Sequence, residues 1–340
     1  MDFIRKPIDD TRVEHKEGLI EIHRLCLAFL KCYCKRDKSI QRMIFDQLDE
    51  LLEIEGAEGE LGECVAELFS GNEELALKVK EEQIRKLVVI LGRVHIFQIL
   101  KALNAIARVG FYPIKRNQNL IIKHLMLHRK ETVLYVDKDD KSRAYRLDLM
   151  RQATVKLTNK GDCDPDIFIR AMYHQFLIRT IATCAEGENK YIESMCQNIF
   201  TINDLFEVLE DPLIYKDFKR PYLRFLIWVY FNTGHETVHP SLVNISHDPK
   251  IWKLIQEVTR ATDEIAGGNL RTMNSVTPLN KVYIFEGAVP FFISFFDKYY
   301  QSDASLDRDI PEHVAIREKV FDGNYLVSLL LLLLLLIFSL

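Results

Sequence analysis

The sequence predicts an all-α fold in which pairs of helices stack into an α-solenoid. Apolar residues recur at helical spacing along most of the 340 residues, and charged residues fill the opposite faces. Glycine (14) and proline (10) are scarce, which favours long helices over a fold with many turns. About a dozen helices of roughly 10–20 residues are therefore expected, stacked as in armadillo or HEAT repeats.

The first half of the chain contains successive helical patterns. The segment 18–34 is an apolar helix, and in 38–54 the residues Ile40, Ile44 and Leu48 recur four residues apart, as in an amphipathic helix. Several glycines between positions 56 and 71 divide the following stretch into short pieces. Further helices are predicted at 81–93, 95–110 and 117–130.

The stretch 131–146 interrupts this rhythm. Its start, 132–136, is a candidate short strand before another helix at 143–157. Asp137 and Asp139 suggest a calcium-binding EF-hand loop, which needs glycine at its sixth position. Ser142 occupies that position, so no calcium site is expected.

The second half continues the helical pattern. Asp164 and Pro165 are typical of a helix N-terminus. The segment 221–231 is apolar nearly all round apart from Arg224 and should form a central, buried helix. Pro290 should kink the last helix. Helices are predicted at 166–184, 188–200, 201–210, 221–231, 251–267 and 277–300.

These patterns suggest a division of the chain, with the stretch 161–165 as the seam between two helical segments. The expected units are a flexible N-terminal segment (1–17), a first solenoid segment (18–160), a second solenoid segment (161–305), a linker (306–324) and a leucine-rich tail (325–340).

The tail includes Leu329, Leu333 and Leu336 and carries no charge. As a helix it would measure roughly 24 Å, which is marginal against a hydrocarbon core of roughly 30 Å. Two interpretations of the tail stay open. It is either a short hydrophobic helix that contacts a membrane, or low-complexity sequence from a truncated or mis-joined reading frame.

Charge and cysteine content exclude several classes of protein. The formal net charge of −4 gives no basic field for nucleic acid. The cysteine count of seven is odd and no C-x-x-C occurs, which indicates reduced cytosolic thiols. Cys32 and Cys34 lie closest together, but no second ligand pair accompanies them, so no metal site is expected there.

One enzyme motif occurs in the chain. His235, Glu236 and His239 spell H-E-x-x-H, which on a continuous helix supplies two zinc ligands and a general base. Gly234 is typical of a helix end, and Pro240 drives the residue before it out of the helical conformation. The match is therefore interpreted as accidental, in a loop between two helices, with no metal, catalytic or cofactor-binding residues expected.

Other residues are expected to serve packing. His174 lies on an apolar helix and is predicted to be a satisfied, half-buried histidine rather than a base. The phenylalanine-rich segment 291–300 is predicted to lie in the core, with an exposed aromatic face for a partner as the alternative. No phosphate-binding loop or nucleophile motif appears, so the chain is not expected to be an enzyme.

The stretch 174–210, HQFLIRTIATCAEGENKYIESMCQNIFTINDLFEVLE, resembles the central armadillo-type region of inositol trisphosphate receptors and ryanodine receptors. The resemblance extends in order over about residues 18 to 300. Its most distinctive residues are Cys184, Glu186, Gly187, Asn189, Tyr191 and Cys196.

This resemblance implies a role in calcium-release channels of the endoplasmic reticulum. In the family such a region is a helical arm that relays ligand binding in N-terminal domains to the pore. The implied partners are other domains or subunits of such a channel, with no nucleic acid. The implied location is the cytosolic face of the endoplasmic reticulum membrane, or otherwise the cytoplasm.

Much of the family pattern is not found. No β-trefoil with an inositol phosphate pocket is recognised, so no small-molecule ligand is expected in this chain, and no pore domain is recognised either. The chain is expected to be either a partial product or a standalone relative that keeps the arm. The alternative function is a membrane-attached helical scaffold for protein–protein interaction.

Overall fold

The computed structural model describes residues 13–158, 161–234, 238–267 and 282–300. The helices of the first half are α1 (Val13–Tyr33), α2 (Lys38–Phe45), α3 (Leu48–Leu51), α4 (Glu58–Phe69), α5 (Glu73–Lys78), α6 (Glu81–Val94), α7 (Phe97–Ala107), α8 (Lys115–Leu127), α9 (Arg129–Thr132) and α10 (Asp140–Leu157). Those of the second half are α11 (Pro165–Ala185), α12 (Lys190–Gln197), α13 (Ile202–Glu210), α14 (Lys216–Leu226), α15 (Pro249–Gly267) and α16 (Val289–Lys298).

A few shorter elements connect these helices. Two π-helical turns, Ile227–Phe231 and Ile284–Ala288, follow α14 and precede α16. Two 3-10 turns, Pro240–Leu242 and Ile245–His247, lead into α15. A small antiparallel hairpin follows α7, with β1 (Arg108–Val109) paired to β2 (Tyr112–Pro113).

In the described parts of the chain, five helices pack on one another in succession. Helix α1 packs on α4, α4 on α7, α7 on α11, and α11 on α14, and we call these five helices the central column. Other helices flank the column, since α6 contacts α8, α10 contacts α11, and α13 contacts both α14 and α15. The predicted all-α, solenoid-like fold is confirmed.

Local capping explains where several helices begin. The Asp164 side chain accepts a hydrogen bond of 2.8 Å from the backbone N–H of Asp166, at the start of α11, and Pro165 fills the first helical position. This start agrees with the sequence pattern. Asp139 accepts a bond of 3.0 Å from the N–H of Ser142 and so caps α10.

The candidate strand at 132–136 was wrong. Thr132 is the last residue of α9, and its hydroxyl donates to the carbonyls of Leu125 (3.0 Å) and His128 (2.8 Å), which holds it in a helical turn. Tyr135 has φ of 62°, a left-handed conformation that no strand accommodates.

Buried amide side chains join neighbouring layers of the stack. Gln41 donates to the carbonyls of Glu67 (3.1 Å) and Ser70 (3.3 Å), at the end of α4. Asn117 donates to the carbonyl of Ala76 (2.7 Å), at the end of α5. Because the last carbonyls of a helix have no partner within it, these amides satisfy groups that burial would otherwise leave unpaired.

Contacts continue across the predicted seam at 161–165. Helix α11, which follows the seam, packs on α7, α8 and α10, which precede it. The amide of Asn104 on α7 donates to the hydroxyl of Thr180 on α11 at 2.5 Å. The division of the chain into units stays a prediction.

The predicted central helix is buried. Segment 221–231 spans most of α14 and the π-helical turn after it, and all of its residues except Trp228 are buried. Pro290 lies in the first turn of α16, directly after the second π-helical turn. Phe291 and Phe295 are 0% exposed and lie in the core, as predicted, whereas Ile293 between them is 63% exposed.

No helix in the described ranges has the length and apolar character to span a bilayer. The leucine-rich tail with Leu329, Leu333 and Leu336 lies outside the described residues, as does the linker at 306–324.

His174 is completely buried, at 0% exposure, which is deeper than the sequence indicated. Its Nε2 atom lies 2.6 Å from the hydroxyl oxygen of Tyr222 on α14, and the ring of Tyr135 lies near its edge. Burial, with a smaller contribution from the nearby positive charge of Arg146, lowers the pKa of His174 to about 3. The imidazole is therefore neutral in the folded protein at physiological pH.

This burial predicts a pH dependence of stability. In the unfolded chain the imidazole binds a proton below about pH 6.5, whereas in the folded chain it does not until about pH 3. The unfolded state is thus favoured as pH falls through this window, by up to about 1.4 kcal/mol per pH unit. Urea titrations from pH 7 to pH 4 should show this slope, and His174→Gln should remove it. His247→Gln, at an exposed position, is the control. An equal slope in wild type and His174→Gln would contradict the assignment.

Candidate functional site

The residues of the family-like motif lie at the turn between α11 and α12. Cys184 and Cys196 are 0% exposed, and Glu186 and Asn189 are 7% and 8% exposed. Tyr191 is 63% exposed and points away from the core. The turn therefore combines a buried polar interior with one exposed aromatic ring.

Glu186 joins three helices of the central column. It is the C-cap residue of α11, and its Oε2 atom lies 2.9 Å from Nη2 of Arg224 on α14. The same oxygen lies 3.3 Å from Nη1 of Arg108, directly after α7. The three side chains are 9%, 4% and 13% exposed, in that order, so water screens these charges little.

A second carboxylate completes this cluster. Glu286 Oε2 lies 3.2 Å from Nη1 of Arg220 and 3.6 Å from Nη1 of Arg224. Burial alone raises the pKa of the Glu286 carboxyl, but Arg224 and the nearby Arg179 and Arg220 outweigh burial and hold this pKa below its ordinary value. We call Arg108, Glu186, Arg220, Arg224 and Glu286 the ionic junction.

Helix α8 holds the same turn through two amides. Gln118 donates to the carbonyls of Thr183 and Glu186, each at 3.0 Å, and so satisfies the C-terminal end of α11. Asn189 donates from Nδ2 to Oδ1 of Asn119 at 2.9 Å. The turn is therefore fixed from α7, α8 and α14 together.

Gly187 requires glycine for two reasons. Its φ of +88° lies in the left-handed region, which side chains disfavour. A Cβ atom added there would lie 2.8 Å from Cγ of Pro113 in the hairpin after α7. This close approach lets the hairpin cover the turn.

The loop with the H-E-x-x-H match begins against the same turn. The backbone N–H of Gly234 donates to Oε2 of Glu193 on α12 at 3.1 Å. His235 and Glu236 lie outside the described residues. His239 has φ of −58° and ψ of 136°, an extended conformation, and its Nδ1 accepts from the N–H of Ser241 at 3.2 Å. The interpretation of the motif as accidental stays a prediction.

We searched the described parts of the chain for metal-ligand groups and for reactive cysteine thiols. No group of three or more potential metal-ligating His, Cys, Asp or Glu side chains is found there. All seven cysteines are free thiols. Burial raises the pKa of Cys34 to about 11 and of Cys64 to about 12, which keeps both thiols protonated at neutral pH.

Two of the five residues of the ionic junction stood out in the sequence, and three did not. The motif contained Glu186, and Arg224 stood out as the single charge on an apolar helix. Arg108, Arg220 and Glu286 were missed, since nothing in their local sequence signals that they meet. A charged residue on a helix predicted to be buried is a signal for a buried partner, but it does not name that partner.

The family model of the RIH domain, the homology domain of ryanodine receptors and inositol trisphosphate receptors, matches residues 4–136. The match covers less than half of the 340 residues and lies within the first half of the chain. It agrees with the family resemblance of the sequence, although the distinctive turn at 184–196 lies beyond its end.

Residues 4–136 are therefore similar to the RIH domain, which occurs in intracellular calcium-release channels. Arg108 and the glycine-requiring contact at Pro113 lie inside the matched range, and Glu186 and Arg224 lie after it. The ionic junction thus links the matched range to the helices that follow.

Removal of the charge of Glu186 should destabilise the fold. The Glu186→Gln variant leaves Arg108 and Arg224 buried without their shared carboxylate, and loss of one partner of a buried ion pair costs about 3 kcal/mol. The free energy of unfolding, from urea denaturation followed by circular dichroism, measures this loss.

The control is Glu188→Gln, an identical change at an exposed position two residues away. It should change the free energy of unfolding by less than about 0.5 kcal/mol. Similar values for the two variants would show that the junction does not contribute as described.

Proposed function

We propose that the chain is a non-enzymatic helical module of an intracellular calcium-release channel, which relays or scaffolds movement between parts of the channel. In such an assembly it lies on the cytosolic face of the endoplasmic reticulum membrane. The observation that carries this proposal is the central column, because each of its helices packs directly on the next from α1 to α14. A rotation at one end of such a stack is transmitted through successive contacts to the other.

The ionic junction supports this proposal. It connects α7, α11 and α14 through charges that cannot separate without leaving a buried ion unpaired. Such contacts make the three helices move as a unit, which a relay requires.

The exposed face of α1 supports a docking role at one end of the column. Ile22, Leu25, Phe29 and Tyr33 follow one another at intervals of three or four residues and are 43%, 63%, 64% and 54% exposed. The rings of Phe29 and Tyr33 stack with centroids 5.5 Å apart. An apolar stripe of this kind, which we call the α1 stripe, is the surface on which a neighbouring helical repeat packs.

Charged substitutions in the α1 stripe should abolish association with the channel. The full chain and the double variant Leu25→Glu/Phe29→Glu would be expressed in cells that contain an inositol trisphosphate or ryanodine receptor. Wild-type chain should co-purify with the receptor and change agonist-evoked calcium release, since a carboxylate at the stripe makes burial against an apolar partner unfavourable.

The control is Leu127→Glu, at an equally exposed leucine (67%) on α8. It should behave as wild type. The proposal fails if wild-type chain neither binds a receptor of either class nor changes calcium release, or if the stripe variant retains both effects.

A further inference from the structure

A pocket of about 290 Å³ lies where α7, α11 and α14 meet, on the open side of the ionic junction. Its volume is near the lower end of small-molecule sites. Cationic side chains of α7, of the residue directly after it, of α11 and of α14 line this pocket. The polar residues that line it are Lys101, Asn104, Arg108, Arg179, Thr183, Arg224 and Glu286.

Positive charge exceeds negative charge around this pocket. Three carboxylates, those of Glu186, Glu286 and Asp217, oppose four arginines, the three of the ionic junction and Arg179, which leaves one positive charge uncompensated. Lys101 is already paired with Glu63, at 2.5 Å. The positively charged side chains around the pocket therefore outnumber the described carboxylates that neutralise them.

Arg179 is the least compensated of these cations. Among the described residues no carboxylate lies within ion-pair distance of its guanidinium group, which sits 5.8 Å from the ring centre of Phe176. Burial, and then the positive charges of Arg220, Arg224 and Arg108, lower the pKa of Arg179 to about 10, although the negative charge of Glu286 acts in the opposite direction. Burial and these like charges disfavour the charged guanidinium, and a bound anion would offset both effects.

Hydrogen-bond donors around the pocket also lack protein partners. The Nε atoms of Arg108 and Arg224 are buried and have no acceptor among the described residues. Arg224 is only 3% exposed, so water has little access to its side chain. A buried donor without an acceptor costs free energy, and more so when it belongs to a charged group. The carboxylate of Glu286 also borders the pocket, but it is already held by Arg220 and Arg224.

We propose that this pocket binds a small organic phosphate, whose dianionic phosphate group contacts Arg108, Arg179 and Arg224. A phosphate brings negative charge to a pocket with excess positive charge, and the planar guanidinium fork suits the oxygens of a phosphate. The proposal departs from the expectation that the chain has no small-molecule ligand. That expectation came from sequence, in which the three arginines lie far apart and form no motif.

Such a ligand would contact the end of α7, the middle of α11 and α14 at once. It would therefore couple occupancy of the pocket to the packing of the central column. This consequence does not depend on the proposed role in a channel.

The test measures stabilisation of the full 340-residue chain by inorganic phosphate and by glycerol 3-phosphate, with chloride at equal ionic strength as the reference. A ligand that binds only the folded state raises the unfolding temperature, by an amount that grows with the ratio of ligand concentration to dissociation constant. Both phosphates should raise it more than chloride does, and the ester should bind at least as tightly as inorganic phosphate. Absence of stabilisation beyond chloride would overturn the proposal, and weaker binding of the ester would overturn the assignment to an organic phosphate.

The variant Arg179→Gln tests the site itself. Without phosphate it should be at least as stable as wild type, because it removes one of several like charges. With phosphate its dissociation constant should rise about tenfold, the effect of one lost charge-assisted hydrogen bond. The stability difference between variant and wild type should therefore shrink or reverse as phosphate is added.

Arg170→Gln is the matched control, since Arg170 lies on the same helix at an exposed position away from the pocket. It should bind phosphate as wild type does. Equal phosphate affinity for Arg179→Gln and wild type would overturn the proposal, as would an equal loss of affinity in both variants.

Discussion

The carboxylate of Glu186, held between the guanidinium groups of Arg108 and Arg224, is the contact on which the middle of the structure depends. Burial of these charges removes their hydration, so their mutual attraction must replace it. Hydrogen bonds also join these helices, from Asn104 to Thr180 between α7 and α11 and between His174 and Tyr222 on α11 and α14. The ionic contact differs from them because it holds buried charges, and its geometry determines how far mutual attraction replaces the lost hydration. It therefore fixes how these three helices are aligned.

The same constraint explains why the turn at 184–196 has its particular composition. Glu186 ends α11 at the point where its side chain meets both arginines, and Gly187 then adopts a left-handed conformation under Pro113. Glu193 on the next helix receives the backbone N–H of Gly234, so the loop after α14 is held to the same turn. One short segment thus connects the hairpin after α7, helix α8, helix α14 and the start of the loop at Gly234. The RIH domain match ends before this segment, so the turn is one of the places where the matched part of the chain contacts the helices that follow it.

Sequence patterns predicted the local features well and the distant ones poorly. The Asp164–Pro165 start of α11 and the burial of 221–231 follow from capping chemistry and from the hydrophobic pattern, both of which act within a few residues. The strand at 132–136 failed because Thr132 found helical carbonyls as hydrogen-bond partners, which β-propensity does not anticipate. Glu186 and Arg224 are 38 residues apart, and their contact depends on the stacking of whole helices. No local pattern encodes that stacking, and so the ionic junction and the cationic pocket beside it emerge only from the fold.

The central claim is that the ionic junction makes α7, α11 and α14 one cooperative unit. Native-state amide hydrogen exchange measures it most directly, with wild type compared to Glu186→Gln under conditions where both are folded. Faster exchange is expected in the C-terminal part of α7, in α11 and in α14 together, by a similar factor, while α2 to α5 keep their protection. Faster exchange confined to the residues next to position 186, with α7 and α14 unchanged, would contradict it.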